Sequence, residues 1–215
     1  MSYVCKKIDP RLELLMPGGK VVVDLGCGAG EFLDQLSQTY EIAVGVDMSI
    51  VRLEKRNKPR NGWHFVLADL NKQLPIENDY ADLVISNQVI EHVTDPFLFS
   101  NEIYRILRSG GRAIVTTPNI RYIKHIFELV FSGYGLRTAS QDTTDGPWDN
   151  GHIHYFTHQD LHKIFGPVNY SRISSCALVS LDGKLKLLRY LFDRFSNNYF
   201  VKEFLSGNIL LVAKK

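Results

Sequence analysis

The sequence predicts a doubly wound α/β fold with seven strands. Three observations carry it. Short β-branched runs alternate with helix-spaced apolar positions through the first half of the chain. The first run ends in a glycine cluster, Asp24-Leu-Gly26-Cys27-Gly28-Ala-Gly30-Glu31, and the second ends in an acid, Asp47. Ligands of open α/β sheets sit at the carboxyl ends of the strands, where both features fall.

The elements follow in order. Residues 20–25 (KVVVDL) read as a buried parallel strand, and residues 31–39 as a helix with Phe32, Leu33 and Leu36 on one side. A second strand spans 42–46, a polar helix 50–58, a third strand 63–68 and a fourth 81–86 (ADLVIS). Asp95 caps the next helix, Pro96 occupies its first turn, and Gly110-Gly111 closes it. A fifth strand, 112–117, stops at Pro118. Residues 120–131 then have helical spacing, and a turn-prone stretch, 132–151, follows. Thr157 and Asp160 form a capping-box pattern that opens a short helix ending at Phe165. Residues 171–180 and 208–213 are the last two strands, with a helix at 184–195 between them.

The chain of 215 residues fits one domain, with insertions at about 120–151 and 184–207. A net charge of +2, with 22% charged residues, supplies no basic excess for nucleic acid. No apolar run approaches the roughly 18 residues of a membrane span. The first ten residues lack a signal-peptide core, and Cys5, Cys27 and Cys176, far apart and odd in number, read as reduced thiols. A cytoplasmic location is expected.

Glycines let the chain turn tightly into a helix and let a ligand approach bare backbone. Asp47, 17 residues after Gly30, can accept both hydroxyls of a ribose. A dinucleotide fingerprint would need glycine where Glu31 stands, and a pyrophosphate would meet that charge at a helix start. S-adenosyl-L-methionine, with a sulfonium and an ammonium, tolerates acids nearby, so the loop favours the methyl donor over NAD(P).

Four blocks, VVVDLGCGAGEF, VGVDMS, FVLADLNKQLPIENDYADLVISNQVIEHV and LRSGGRAIVTTPN, resemble the class I S-adenosylmethionine-dependent methyltransferases of the type 11, 12 and 23 groups. The resemblance implies a Rossmann-like, mixed but mostly parallel seven-stranded sheet. It also implies that Asp24, Gly26, Cys27 and Gly28 line the methionine end of the cofactor. Asp47 would hold the ribose, and Met48 would pack on the adenine. Asp69 would meet the adenine amino group, with Leu70 beside the ring. Asn87 and Gln88 would border the sulfonium and the acceptor entrance. An O-methyltransferase acting on a small-molecule, sugar or lipid-linked acceptor is the expectation. The chain also resembles the MetW-like proteins, which act with an acyltransferase partner, and this is the alternative; an NAD(P)-dependent reductase is a third.

If the acceptor must lose a proton, histidine suits the task near neutral pH. His92 follows the fourth strand. His152 and His154 lie two apart, which in an extended segment places them on one side, and the segment resembles an H-I-x-F-F-T stretch beside acceptor pockets. His158 and His162 add two more imidazoles, but no Cys or carboxylate joins them with a recognised metal spacing, so no metal is expected. Fewer than 20 residues precede the first strand, so the two insertions are expected to supply the cover over the site. Their aromatic residues and the basic positions Lys184, Lys186, Arg189 and Arg194 also allow shallow contact with an anionic membrane, with packing on the sheet edge the plainer outcome. The run Arg52, Lys55, Arg56, Lys58 and Arg60 reads as a solvated helix face. No oligomeric state follows from the sequence.

Overall fold

A computed structural model describes residues 18–36, 39–51, 62–133, 135–138, 148–178 and 198–215. The strands are β1 (Val21–Leu25), β2 (Ile42–Asp47), β3 (Trp63–Leu67), β4 (Ala81–Asn87), β5 (Leu107–Pro118), β6 (Arg172–Leu178) and β7 (Asn208–Lys214). They form one sheet in the order β3-β2-β1-β4-β5-β7-β6. β1 to β5 run parallel, whereas β7 runs antiparallel to both β5 and β6. Strand order reverses between β1 and β4, and the crevice of such a sheet opens there.

The alternation of side chains along each strand sorts the core into two layers. Val21, Val23 and Leu25 of β1 and Val84 of β4 face one side, where α2 (Pro96–Ile106) contributes Phe99, Ile103 and Ile106 and α4 (His158–Phe165) contributes Leu161, Ile164 and Phe165. Val22, Leu83, Ile85 and Ile114 face the other side, against Leu33 of α1 (Glu31–Leu36). Burial on both faces is why these strands read as continuous apolar runs.

The expected caps are present. The Asp95 carboxylate accepts Phe97 and Leu98 N–H at 2.9 Å, and the Thr157–Asp160 pair makes a reciprocal capping box. Several boundaries differ from expectation: the first helix spans Glu31–Leu36 rather than reaching 39, and β5 begins at Leu107 rather than 112. The helix after Asp95 ends at Ile106 rather than at Gly110-Gly111, because residue 107 already pairs with Ala81 in the sheet and the register shifts before Leu83 meets Arg112. The helix α3 (Ile123–Phe131) starts three residues late, because Asn119 holds the preceding turn: its Oδ1 accepts Arg121 N–H at 3.0 Å and its carbonyl accepts Tyr122 N–H at 3.1 Å.

Asn119 Nδ2 also donates to the carbonyls of Glu203 and Ser206, both at 2.9 Å, which anchors the short helix α5 (Tyr199–Phe204) on β5. Within the first insertion α3 turns Phe127, Leu129, Val130 and Phe131 outward, and Phe131 is 76% exposed. The expected helix at 184–195, most of that at 50–58, the basic run 52–60, Cys5 and the first 17 residues lie outside the described residues. Among the described residues no helix is long and apolar enough to cross a membrane.

Candidate active site

The glycine loop is laced to the end of β2. Gly26 and Cys27 N–H both donate to the Val46 carbonyl, at 2.7 and 3.0 Å, and the Asp47 carboxylate accepts Gly28 N–H at 2.9 Å and Ser49 N–H at 2.8 Å. Gly26 and Gly28 have φ of 77° and 56°, a region costly for residues with a Cβ. They differ in surroundings. A Cβ on Gly26 would lie 2.4 Å from Val89 Cγ2, so the turn after β4 packs directly on the loop. Among the described residues a Cβ on Gly28 would meet nothing within 4 Å, which leaves room for a ligand beside this backbone.

Asp24 lies one residue before the end of β1 and is 2% exposed; burial, followed by repulsion from Asp47, pushes its carboxyl up to about 7. Two neighbouring acids beside an open loop form a cradle that a cation relieves and a phosphate aggravates.

Met48 is 70% exposed at the end of β2. Asp69, after β3, is taken up in a turn: Oδ1 accepts the backbone and side-chain N–H of Asn71, both at 3.0 Å, and these bonds hold its carboxyl below the usual range. Leu70 packs against the core. Asn87 and Gln88 sit at the end of β4 and both engage β5. Thr116 Oγ1 donates to Asn87 Oδ1 at 2.6 Å, and Gln88 N–H donates to the Thr116 carbonyl at 3.1 Å. Gln88 has φ of 58°, which costs of order 1–3 kcal/mol in a non-glycine residue and points to a site the surroundings enforce.

The next turn carries a polar cluster. Glu91 is 1% exposed and burial pushes its carboxyl up to about 8; Oε2 accepts Thr117 Oγ1–H at 3.0 Å, while Oε1 has no hydrogen-bond partner among the described residues. The rings of His92 and His152 meet edge to face at 4.8 Å, and His152 Nε2 lies 4.0 Å from Glu91 Oε1. His92 Nδ1 is 3.0 Å from the Gly151 carbonyl, and His152 Nδ1 is 2.7 Å from Thr138 Oγ1 and 3.6 Å from Asp149 Oδ2. Burial, outweighing the Asp149 charge, holds the His152 imidazole below its usual range.

Three sequence expectations about the histidines change. His152 and His154 do not share a side: Ile153 and His154 N–H both donate to the Glu91 carbonyl, so the chain curls there instead of alternating. His154 lines a separate cavity of about 310 Å³ with Pro96, Phe97, Phe156, Lys163 and Ile164. His158 and His162 stand apart with structural partners, since both reach Ser175 Oγ at 3.0 Å. A carboxylate does join the histidines, namely Glu91, the neighbour of His92. The sequence carried no signal for Asp149, Thr138 or Thr117, which are polar residues of ordinary spacing until the fold gathers them.

Residues 23–115 match the family model described as a methyltransferase domain. A malonyl-[acyl-carrier protein] O-methyltransferase of Legionella pneumophila is 35% identical over 116 residues, covering 52% of this chain and 40% of that protein. A ubiquinone biosynthesis O-methyltransferase of Pseudomonas fluorescens is 26% identical, over 64% of this chain and 60% of that protein. The chain thus spans about 40% of the length of the first curated relatives it matches. Among solved structures, an S-adenosylmethionine-dependent methyltransferase from Mesorhizobium loti superposes with a TM-score of 0.66 at 19% identity, covering 96% of both chains. At that identity the likeness establishes the fold, which is the class I methyltransferase fold.

Proposed function

We propose that this chain, which carries the methyltransferase domain over residues 23–115 on the class I methyltransferase sheet, binds S-adenosyl-L-methionine and methylates an oxygen of a small-molecule, sugar or lipid-linked acceptor. The observation that carries the reading is the Gly28 backbone, where a Cβ would meet nothing within 4 Å among the described residues, bound to the Asp47 carboxylate that in turn repels the buried Asp24. That arrangement fits a cationic nucleoside and disfavours a pyrophosphate.

When bound, the cofactor supplies a methyl group already activated on a sulfonium. Asp24 would hold the ammonium of its methionine end. Asp47 has one lone pair on each oxygen committed to Gly28 and Ser49, and offers the others to the ribose hydroxyls. Exposed Met48 and half-buried Leu70 would flank the adenine, and the side of Asp69 not used by Asn71 would face its amino group. Asn87 and Gln88, fixed by Thr116, border the acceptor entrance.

Transfer forms an O–CH₃ bond as the S–CH₃ bond breaks, with the electron pair going to sulfur. Holding the nucleophile in line can itself supply an effective molarity of about 10⁵ M or more. A hydroxyl acceptor must also lose its proton, whereas a neutral amine need not before attack. The polar cluster of Glu91, His92 and His152 at the ends of β4 and β5 is the group of this chain suited to that demand. The two relatives named above as O-methyltransferases agree with an oxygen acceptor.

Calorimetry with S-adenosylhomocysteine and with NADH tests the reading. S-adenosylhomocysteine is expected to bind and NADH is not; the reverse outcome overturns the assignment. Identification of the methylated product as an ether or ester, rather than an amine, tests the oxygen.

A further inference from the structure

We infer that Glu91, His92 and His152 form a binding site for a first-row divalent transition-metal cation. The inference deepens the methyl-transfer reading and rests on it only for what the cation does. Among the described residues, one ligand atom from each of the three lies within 4.8 Å of the others.

The hydrogen bonds around the cluster determine which atoms are free. The Gly151 carbonyl, 3.0 Å from His92 Nδ1, can only accept, so the proton sits on Nδ1 and leaves Nε2 a bare lone pair. Thr138 Oγ1 donates to Asp149 Oδ2 at 3.0 Å and therefore accepts from His152 Nδ1–H, which leaves His152 Nε2 bare as well. Glu91 Oε2 is used by Thr117, and Oε1 faces His152 Nε2 at 4.0 Å with no donor of its own. Once Glu91 is ionised, its Oε1 and His152 Nε2 face each other as acceptors at 4.0 Å, too far apart to share a proton, with His92 beside them.

A cation resolves this. Metal–nitrogen and metal–oxygen bonds of about 2.0–2.2 Å place ligand atoms roughly 3–3.5 Å apart, so closure from the observed spacing needs shifts of about 1 Å. Two histidines and one carboxylate on one side of an ion leave further coordination positions open. The outer partners are also those a metal site uses: a backbone carbonyl on one histidine, a carboxylate and hydroxyl on the other, and a hydroxyl on the glutamate. Asp149 and Asn150, at φ of 45° and 56°, strain the backbone of the short turn Trp148–Gly151 that brings the Asp149 carboxylate and the Gly151 carbonyl to the two imidazoles.

Val89, which packs on Gly26, belongs to the same turn as Glu91 and His92, so the cation would lie on the cofactor side of the sheet. An acceptor hydroxyl on an open position of the ion would release its proton to solvent more readily and attack as the oxyanion.

The test is a Co²⁺ titration of the chelator-stripped full chain, read by visible absorption, alongside S-adenosylhomocysteine calorimetry on the same sample. The expected result is a saturable band displaced by Zn²⁺. Glu91→Gln and His152→Ala should each weaken Co²⁺ binding at least tenfold, and Asp149→Asn about tenfold through the lost outer partner. Absence of the band in the unmodified chain, or a titration unchanged by both ligand substitutions, overturns the site. Nucleoside binding without Co²⁺ uptake removes the cation site and leaves the methyl-transfer reading standing. Co²⁺ uptake without nucleoside binding does the opposite.

Discussion

The Asp47 carboxylate accepts the Gly28 N–H at 2.9 Å, which makes the acid at the end of β2 and the open glycine after β1 a single unit. The same carboxylate accepts Ser49 N–H on its other oxygen. Asp47 thus braces the glycine loop, and in the proposed reading it also holds the ligand, so its replacement should have two separable effects.

Asp47→Ala is expected to weaken S-adenosylhomocysteine binding by about 1–3 kcal/mol, the cost of a charged hydrogen-bond partner. It should also lower stability by about 1–3 kcal/mol, since two backbone donors lose their acceptor. Asp47→Asn keeps one carbonyl acceptor and should recover part of the stability but less of the affinity. Calorimetry and urea denaturation of both variants check this. Equal affinity in all three proteins would remove Asp47 from the binding site.

Gly26→Ala and Gly28→Ala separate packing from ligand access. At Gly28 the new methyl group meets nothing within 4 Å among the described residues, so the expected stability loss is that of the left-handed backbone, about 1–2 kcal/mol. The affinity loss should be tenfold or more, since the methyl group occupies ligand space. At Gly26 the methyl group overlaps Val89 at 2.4 Å, so the stability loss should be the larger of the two. Melting temperatures and calorimetric affinities of the pair test the contrast.

Asp24 predicts the pH dependence of cofactor binding. Its folded carboxyl titrates at about 7, above the unfolded value of 3.8, so the folded state holds a proton that the unfolded chain has lost in between. Its contribution to stability is complete below about 4 and is lost as pH rises through 7. A bound ammonium favours the carboxylate, so affinity should increase up to about pH 7 and binding should release a proton below it. Calorimetry in two buffers of different ionisation enthalpy reads that proton. No difference between buffers, or none between the unmodified chain and Asp24→Asn, argues against contact with the ammonium.

His158 has the opposite sign. Burial, reinforced by Lys202, pushes it down to about 4 from 6.5, and its two nitrogens reach Ser175 Oγ and the Lys202 carbonyl, linking α4 to β6 and α5. The unfolded chain binds the proton more readily, so this contribution is full above about pH 6.5 and disappears as pH falls toward 4. His158→Gln should flatten the acid side of a stability profile while lowering stability at pH 8. An unchanged acid limb would mean that another group controls it.

All seven strands, the glycine loop, the acid at the end of β2 and the caps at Asp95 and Thr157 were legible in the sequence. Each is a local pattern: an apolar run, a turn that needs glycine, or a side chain within four residues of the amides it serves. Asp69 shows the limit of this. Its position after β3 is readable, whereas its commitment to Asn71 is a matter of side-chain geometry.

Only the tertiary structure places β7 antiparallel between β5 and β6, ends α2 at Ile106, and turns His154 away from His152 into a separate cavity. It alone brings Glu91 to His152 across 61 positions of chain, with Thr117, Thr138 and Asp149 behind them. Local propensity acts over a few residues, so it shapes the strands and the glycine loop. Which polar groups face one another depends on how distant segments close over the sheet, and no spacing along the chain encodes that.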